Sequence, residues 1–347
     1  MTIPIQNIYY LLCYAWNQLE EGQVVDVDTL QSTELADLFA RVLDSGINHL
    51  LRRGLDRGYR SMSEDTARLR GRIDFGVSLK RMLPPRARAH CRFDELDHDV
   101  LHNRILKTTL RRLAYVQGLD AKLRTKLLLL HRRFANISET PLNRLTFRRV
   151  QLHSNNAFYR FLMNVCELVQ RSVFLNETVG AHQFRDFMRD DKAMARVFEH
   201  FVFNFYKREQ NTYAVARNII SWDLEAPDEE SRSLLPQMKT DISLRAPGRT
   251  IIIDTKYYSH TLQTHYGKES FHSAHLFQMF AYLKNLEKDA GSDASAEGIL
   301  LYPTVSKPLD YTYKMPGHVL RICTINLAQE WQGIHRDLLE LVNRFTS

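Results

Sequence analysis

Asp254 and Lys256 stand two residues apart in the segment TIIIDTKYY. On an extended strand that spacing sends both side chains from one face. Ile251, Ile252 and Ile253 before them form a continuous apolar run, as in a strand covered on both sides. A carboxylate and an ammonium at the end of such a strand are costly to bury without a purpose or a partner. Asp241 lies on the preceding strand candidate, MKTDISLR, and the Ala246-Pro247-Gly248 turn signal brings it alongside. Two neighbouring carboxylates repel one another and are readily reconciled by a divalent cation. These are the parts that phosphodiester hydrolysis requires: oxygen ligands for Mg²⁺, which polarises the phosphate and lowers the pKa of a bound water, and a cation that offsets charge in the transition state. Asp241 and Asp254 are the expected metal ligands, and Lys256 the cation or water-positioning group. The competing reading is a structural ion pair between Asp254 and Lys256, because D-x-K alone arises by chance in many proteins.

The elements that must hold these residues are legible around them. A helix is expected from about Ser273 to Leu286, then strands in GILLYP and HVLRICTI, then an amphipathic helix through Trp331, Ile334, Leu338, Leu341 and Phe345. Before the hairpin, Met194, Val197, Phe198, Phe201 and Phe205 mark a helix, and EAPDEESRS an acidic surface loop. Glu199 on that helix is a candidate additional ligand, set against a solvated helical Glu. The C-terminal half therefore predicts a sheet flanked by helices. The N-terminal half reads as mainly helical with some strand. Leu35, Leu38, Phe39, Val42, Leu43, Ile47, Leu50 and Leu51 form one helical stripe ended by Gly54 and Gly58, and LRGRIDF is a short strand-like piece with Gly71 at a turn or bulge. The expected fold is mixed α/β, divided into residues 1–155 and 156–347.

Composition narrows the function class. The chain has 347 residues, 44% hydrophobic and 25% charged, ordinary for a globular protein with room for two cores. No apolar run reaches the ~18 residues that suggest a membrane-spanning helix. The opening MTIPIQNIYYLLCYAW lacks a basic leader and a small-residue cleavage site, so a folded segment in a cytoplasmic protein is expected. The four cysteines, at 13, 91, 166 and 323, are too scattered for a zinc or redox motif and are expected to be buried thiols. Histidines 90, 98, 102, 131, 260, 265, 272 and 275 show no regular ligand spacing. The net charge is +7, and residues 101–150 alone hold twelve Lys or Arg against two acids. That window reads either as a surface meeting phosphates or an acidic partner, or as the solvated face of a helical domain. Tyr9, Tyr10, Tyr14 and Trp16 read as core in preference to a docking surface.

The pattern of Asp241 followed by Asp254-Thr255-Lys256 resembles the PD-(D/E)xK nuclease superfamily, with its proline displaced to Pro236. Gln278 and Tyr282 in LFQMFAYL, on one helix face, look like the Q-x-x-x-Y element of RecB-like members. The resemblance implies that Gln278 helps order the catalytic site and that Tyr282 lies toward DNA. A wider resemblance runs through IPIQNIYYLLCYAW, LRGRIDF, FDELDHDVLHNRILKTTL, LLPQMKTDISLR, IIIDTKYY, FHSAHLFQMFAYL, LLYP and CTINLAQEW, which together are similar to the McrC family, nuclease subunits of McrBC-type restriction systems. It implies a PD-(D/E)xK restriction-endonuclease-like domain at 156–347 and a partner-docking domain at 1–155. It also implies Mg²⁺ as cofactor, double-stranded DNA as substrate, and a hexameric AAA+ partner of the McrB kind that binds GTP and recognises modified cytosine. The absence of a G-x-x-x-x-G-K-[ST] loop fits a chain that leaves nucleotide to that partner. Arg72 and Arg104 are the expected partner contacts, since Arg is enriched at interface hot spots. Two other readings stand beside this one: a self-sufficient repair nuclease or junction resolvase, and a non-catalytic adaptor that only activates a GTPase.

Overall fold

The computed structural model describes residues 3–27, 34–153, 156–176, 181–184, 188, 190–225, 228–257, 263–265, 268–288, 291–304 and 307–344. The principal elements in chain order are α1 (Ile5–Ala15), α2 (Leu35–Arg53), β1 (Gly58–Thr66), β2 (Arg72–Ile73), α3 (Phe75–Lys80), β3 (Ala89–Asp97), α4 (Leu101–Ala114), α5 (Ala121–Arg133), α6 (Ala157–Ser172), α7 (Asp191–Glu209), β4 (Ala214–Ala216), β5 (Ile242–Ala246), β6 (Arg249–Thr255), α8 (Ser273–Leu286), β7 (Glu297–Pro303), β8 (Asp310–Met315), β9 (His318–Ile325) and α9 (Trp331–Asn343). None of the described helices is long and apolar enough to cross a membrane. The mixed α/β class is as expected.

Two compact units divide the chain. The first comprises residues 24–26 and 36–185, with α2, α4, α5 and α6 beside a three-stranded antiparallel sheet in the order β1-β3-β2. The stripe on α2 is buried as its spacing predicts, and Gly54, at φ +90°, ends the helix. Gly71 turns the chain into β2 at φ +65°, where an added Cβ would stand 2.2 Å from the Arg92 carbonyl oxygen. Only glycine fits there. Asp74 then caps α3, accepting from the Val77 N–H at 3.0 Å, and pairs with Arg92 at 2.7 Å, not with Arg72.

The second unit comprises residues 1–23, 27–35 and 186–347. Its mixed six-stranded sheet runs β8-β9-β7-β6-β5-β4, with β6-β7 and β7-β9 parallel and the other pairs antiparallel. Helices α7, α8 and α9 pack on β6, β7 and β9 respectively. Ile252, Leu300, Tyr302 and Ile322 from the sheet meet Met279, Tyr282, Leu283 and Leu286 of α8 in one apolar core. Edge strands β4 and β8 lack a sequence signal: β4 is three residues long, and DYTYKM of β8 is largely exposed.

The expected boundary at 155/156 is not where the units part. Helix α6 belongs with the preceding helices, and residues 1–23 belong with the C-terminal sheet. Side-chain chemistry explains the return of α1. Asn7 donates to the Leu327 and Gln329 carbonyls at 2.9 and 2.7 Å, and the Tyr14 hydroxyl donates to Glu209 at 2.7 Å. Tyr10 and Tyr14 stack on Trp331, with centroids 4.9 and 5.4 Å apart. Tyr9 and Tyr14 are buried core, as read, whereas Tyr10 and Trp16 are only half-buried. Phe345 lies outside the described residues. Asn7→Ala leaves two carbonyls of the α9 approach without their donor and should lower the stability of this unit by about 1–3 kcal/mol. Urea unfolding followed by tryptophan fluorescence measures it.

Candidate active site

The hairpin β5–β6 sets the site. Ala246 faces Arg249 across the turn, with Pro247 at the first central position and Gly248, at φ +77°, at the second. This suits the type II pattern, which wants φ > 0 at the second central residue. The register runs to Ile253 opposite Ile242, so the next residues along, Asp254 and Asp241, come side by side. Asp241 is fixed from β6: its Oδ2 accepts from the Thr255 N–H at 2.8 Å and the Thr255 hydroxyl at 3.0 Å.

Asp254 shares a sheet face with Ile252 and is only 1% exposed. Lys256 Nζ lies 2.7 Å from its Oδ2, yet neither carboxylate oxygen has a hydrogen bond of good geometry among the described residues. Burial pushes its pKa up to about 6; Asp241 and Glu199 add to the rise, and Lys256 opposes it. A close-lying cation thus fails to offset desolvation and two neighbouring acids.

Lys256 is held at both ends. Its N–H donates to the Leu301 carbonyl at 2.9 Å, and Nζ donates to Gln278 Oε1 at 3.0 Å. Gln278 Nε2 donates to the Tyr282 hydroxyl at 2.7 Å, which donates to the Lys239 carbonyl at 2.8 Å. A continuous hydrogen-bonded chain therefore runs from the ammonium through α8 to the strand pairing beside β5. Gln278 lies against the Lys256 ammonium. Tyr282 departs from the expectation of a side chain turned toward DNA: it is 4% exposed, and its hydroxyl is bonded within the protein to Gln278 and to the Lys239 carbonyl.

Glu199 is not the solvated helical Glu that its position in a helix suggested. It is half-buried and paired with Arg217 at 2.9 Å; burial first, then Asp241, raises its pKa. Arg217 lies outside every motif and carries no signal in the sequence. Among the described residues no three His, Cys, Asp or Glu side chains converge as a preformed ion cage. Two carboxylates nonetheless suit Mg²⁺, which keeps several waters and takes one or two protein carboxylates plus substrate oxygens. Asp254 Oδ1, buried and without a hydrogen-bond partner among the described residues, is what such an ion would complete. His260 lies outside the described residues.

Arg72 and Arg104 belong to the other unit. Arg104 forms a two-pronged pair with the buried Asp99, at 2.8 and 2.9 Å, and is therefore structural. Arg72 is exposed, and no ion pair forms on it among the described residues. Much of the basic window is similarly engaged, with Arg111 on Glu139, Lys126 on Asp44 and Lys107 on the Ile137 carbonyl.

A mixed sheet that juxtaposes two acids and a lysine at one end of a hairpin defines an α/β protein with a paired-carboxylate site. Residues 6–303 match the family described as McrBC 5-methylcytosine restriction system component, and the chain belongs to that family. It is 32% identical over 344 residues, 99% of this chain and 98% of the relative, to the type IV methyl-directed restriction enzyme EcoKMcrBC of Escherichia coli (strain K12). Its fold is similar to a chain of the half-complex from a tetradecameric assembly of Thermococcus gammatolerans McrB AAA+ hexamers with bound McrC. That similarity has a TM-score of 0.63 at 16% identity and covers 97% of this chain and 76% of the other.

The raised pKa of Asp254 has a thermodynamic sign. A carboxyl that holds its proton more tightly when folded than when unfolded loses stability for the fold as pH rises from about 4 to about 6. In metal-free buffer, Asp254→Asn should therefore raise the melting temperature at pH 7.5, and the gain should shrink toward pH 4. Thermal melts across pH with a chelator present check this; a wild-type advantage at pH 7.5 would show Lys256 overcoming desolvation.

Proposed function

We propose that this chain is the metal-dependent DNA endonuclease subunit of a modification-dependent restriction complex, with a PD-(D/E)xK catalytic site. The observation that carries the reading is the buried Asp254, whose Oδ2 meets only the Lys256 ammonium among the described residues and whose Oδ1 has no hydrogen-bond partner there, beside Asp241. A structural ion pair does not account for it, because burial outweighs the lysine and a second acid sits alongside.

In this reading Asp241 and Asp254 would hold Mg²⁺, with Glu199 as a further acid near them. A bound Mg²⁺ supplies polarisation of the phosphate and a lower pKa for its water. Thr255 fixes the Asp241 carboxylate, so one oxygen is committed and the other remains for ligation. Lys256 offsets the negative charge that grows on the phosphate during attack. Gln278 aims its ammonium, and Tyr282 aims Gln278.

Asp254→Ala or Asp241→Ala should lower cleavage of double-stranded DNA by several orders of magnitude while the protein stays folded. Lys256→Ala should slow it by roughly 10²-fold, the scale set by losing one preorganised charge-stabilising group. Gln278→Ala and Tyr282→Phe should cost less than the loss of Asp254. Chelation should stop the wild type. Normal cleavage by the Asp254 variant would refute the site.

The partner in this proposal is a hexameric AAA+ motor of the McrB kind, which binds and hydrolyses GTP and reads methylated DNA; it supplies the nucleotide chemistry and base recognition for which this sequence shows no motif. The unit spanning 36–185 carries none of the proposed nuclease residues and is the proposed docking module. An Asp254→Ala chain should accordingly still stimulate the partner's GTPase while failing to cut DNA. Arg72→Glu should reduce stimulation without loss of fold. Arg104→Glu is the contrasting case: it strands Asp99 and should destabilise the unit itself. Steady-state GTP hydrolysis beside a thermal melt separates the three. A folded Asp254 variant that stimulates nothing would refute the separation of roles.

A further inference from the structure

His275 sits in the first turn of α8, one turn before Gln278, and is 7% exposed. Its Nδ1 is hydrogen-bonded to the hydroxyl of Tyr302 at 2.9 Å, and Tyr302 is fully buried in the core under α8. Tyr302 follows Leu301, whose carbonyl receives the Lys256 N–H. The bonds therefore close a circuit: from Lys256 through Leu301 to Tyr302, across to His275, along one turn of α8 to Gln278, and back to the Lys256 ammonium. Burial, Lys256 and His272 together hold His275 neutral, its pKa lowered to about 4, so it adds no second positive charge beside Lys256.

We propose that His275 and Tyr302 are a positioning pair for phosphodiester cleavage: their hydrogen bond fixes the start of α8 on β7 and so holds Gln278 on the Lys256 ammonium. This rests on the nuclease reading of the site. The physical reason is leverage. Gln278 reaches Lys256 through a single bond, so sliding or tilting of the first turn of α8 moves its Oε1 directly. Misplacement by ~1 Å at a reacting group can cost on the order of 10²-fold in rate. Neither side chain touches the phosphate in this proposal, and DNA affinity should not depend on them.

The test is single-turnover cleavage of duplex DNA by the full chain with its motor partner, Mg²⁺ and GTP, beside equilibrium DNA binding and thermal melts. Tyr302→Phe keeps the ring and removes the hydroxyl. It should slow cleavage about 10-fold at unchanged DNA affinity, and it should add nothing further in a Gln278→Ala background, because both changes release the same ammonium. His275→Asn, whose amide reaches the Nδ1 position, should retain most activity, whereas His275→Leu should match Tyr302→Phe. This pair carries the test should Tyr302→Phe melt early. Wild-type cleavage by Tyr302→Phe, or a full 10-fold loss repeated on top of Gln278→Ala, overturns the proposal. An Asp254→Ala control that still cuts would instead overturn the nuclease reading on which it rests.

Discussion

A carboxylate taken out of water needs something to replace the water, and Asp254 is given less than it needs. Lys256 approaches one oxygen, but Asp241 and Glu199 push the other way and burial adds to the deficit. The surrounding structure is arranged around holding that imbalance in place. The β5–β6 register brings the second acid up, Thr255 pins it, and α8 covers the face on which the charge sits. A sheet edge or a loop could relax and let water in; a central strand flanked by β5 and β7 has no such freedom. Stability is surrendered at this point and recovered in the apolar core beneath α8.

Lysine orientation is the second constraint. An ammonium on a flexible four-carbon stem has many rotamers, and one hydrogen bond to Asp254 would not select among them. Gln278 and Tyr282 supply the selection, each using one end of its polar group on the next member and ending on a main-chain carbonyl that cannot move independently of the sheet. The spacing of Gln278 and Tyr282 was readable because a helix repeats every 3.6 residues. What the spacing did not reveal was direction. A tyrosine one turn from a glutamine can reach outward or brace inward, and the Lys239 carbonyl fixes the second.

Local chemistry was legible where periodicity or turn grammar carries it. Asp241, Asp254 and Lys256 followed from a strand period of two and a Pro-Gly turn; the stripe of α2 and the strands GILLYP and HVLRICTI followed from burial patterns. Specific side-chain pairings left no such trace. Arg217 reaches Glu199 across sequence with no motif to mark it, and Asp99 claims Arg104 by a contact that looks, in one dimension, like a free basic residue on a helix. Edge strands β4 and β8 were missed because a strand paired on one side and wet on a face has no apolar signature. The domain boundary was misplaced for a related reason: nothing in IPIQNIYYLLCYAW says which distant helix its aromatics will stack on.

That stacking has a bearing on how the protein is made. The helix α1 leaves the ribosome early, whereas Leu327, Gln329 and Trp331, to which it is fastened, are synthesised more than three hundred residues later. The unit bearing the carboxylates thus includes contacts of α1 with the approach to α9, while residues 36–185 can complete their own core during translation. An interrupted polypeptide would carry a finished helical unit and an unfinished sheet. The sheet that positions Asp241, Asp254 and Lys256 therefore gains its α1 contacts only after the approach to α9 has been made.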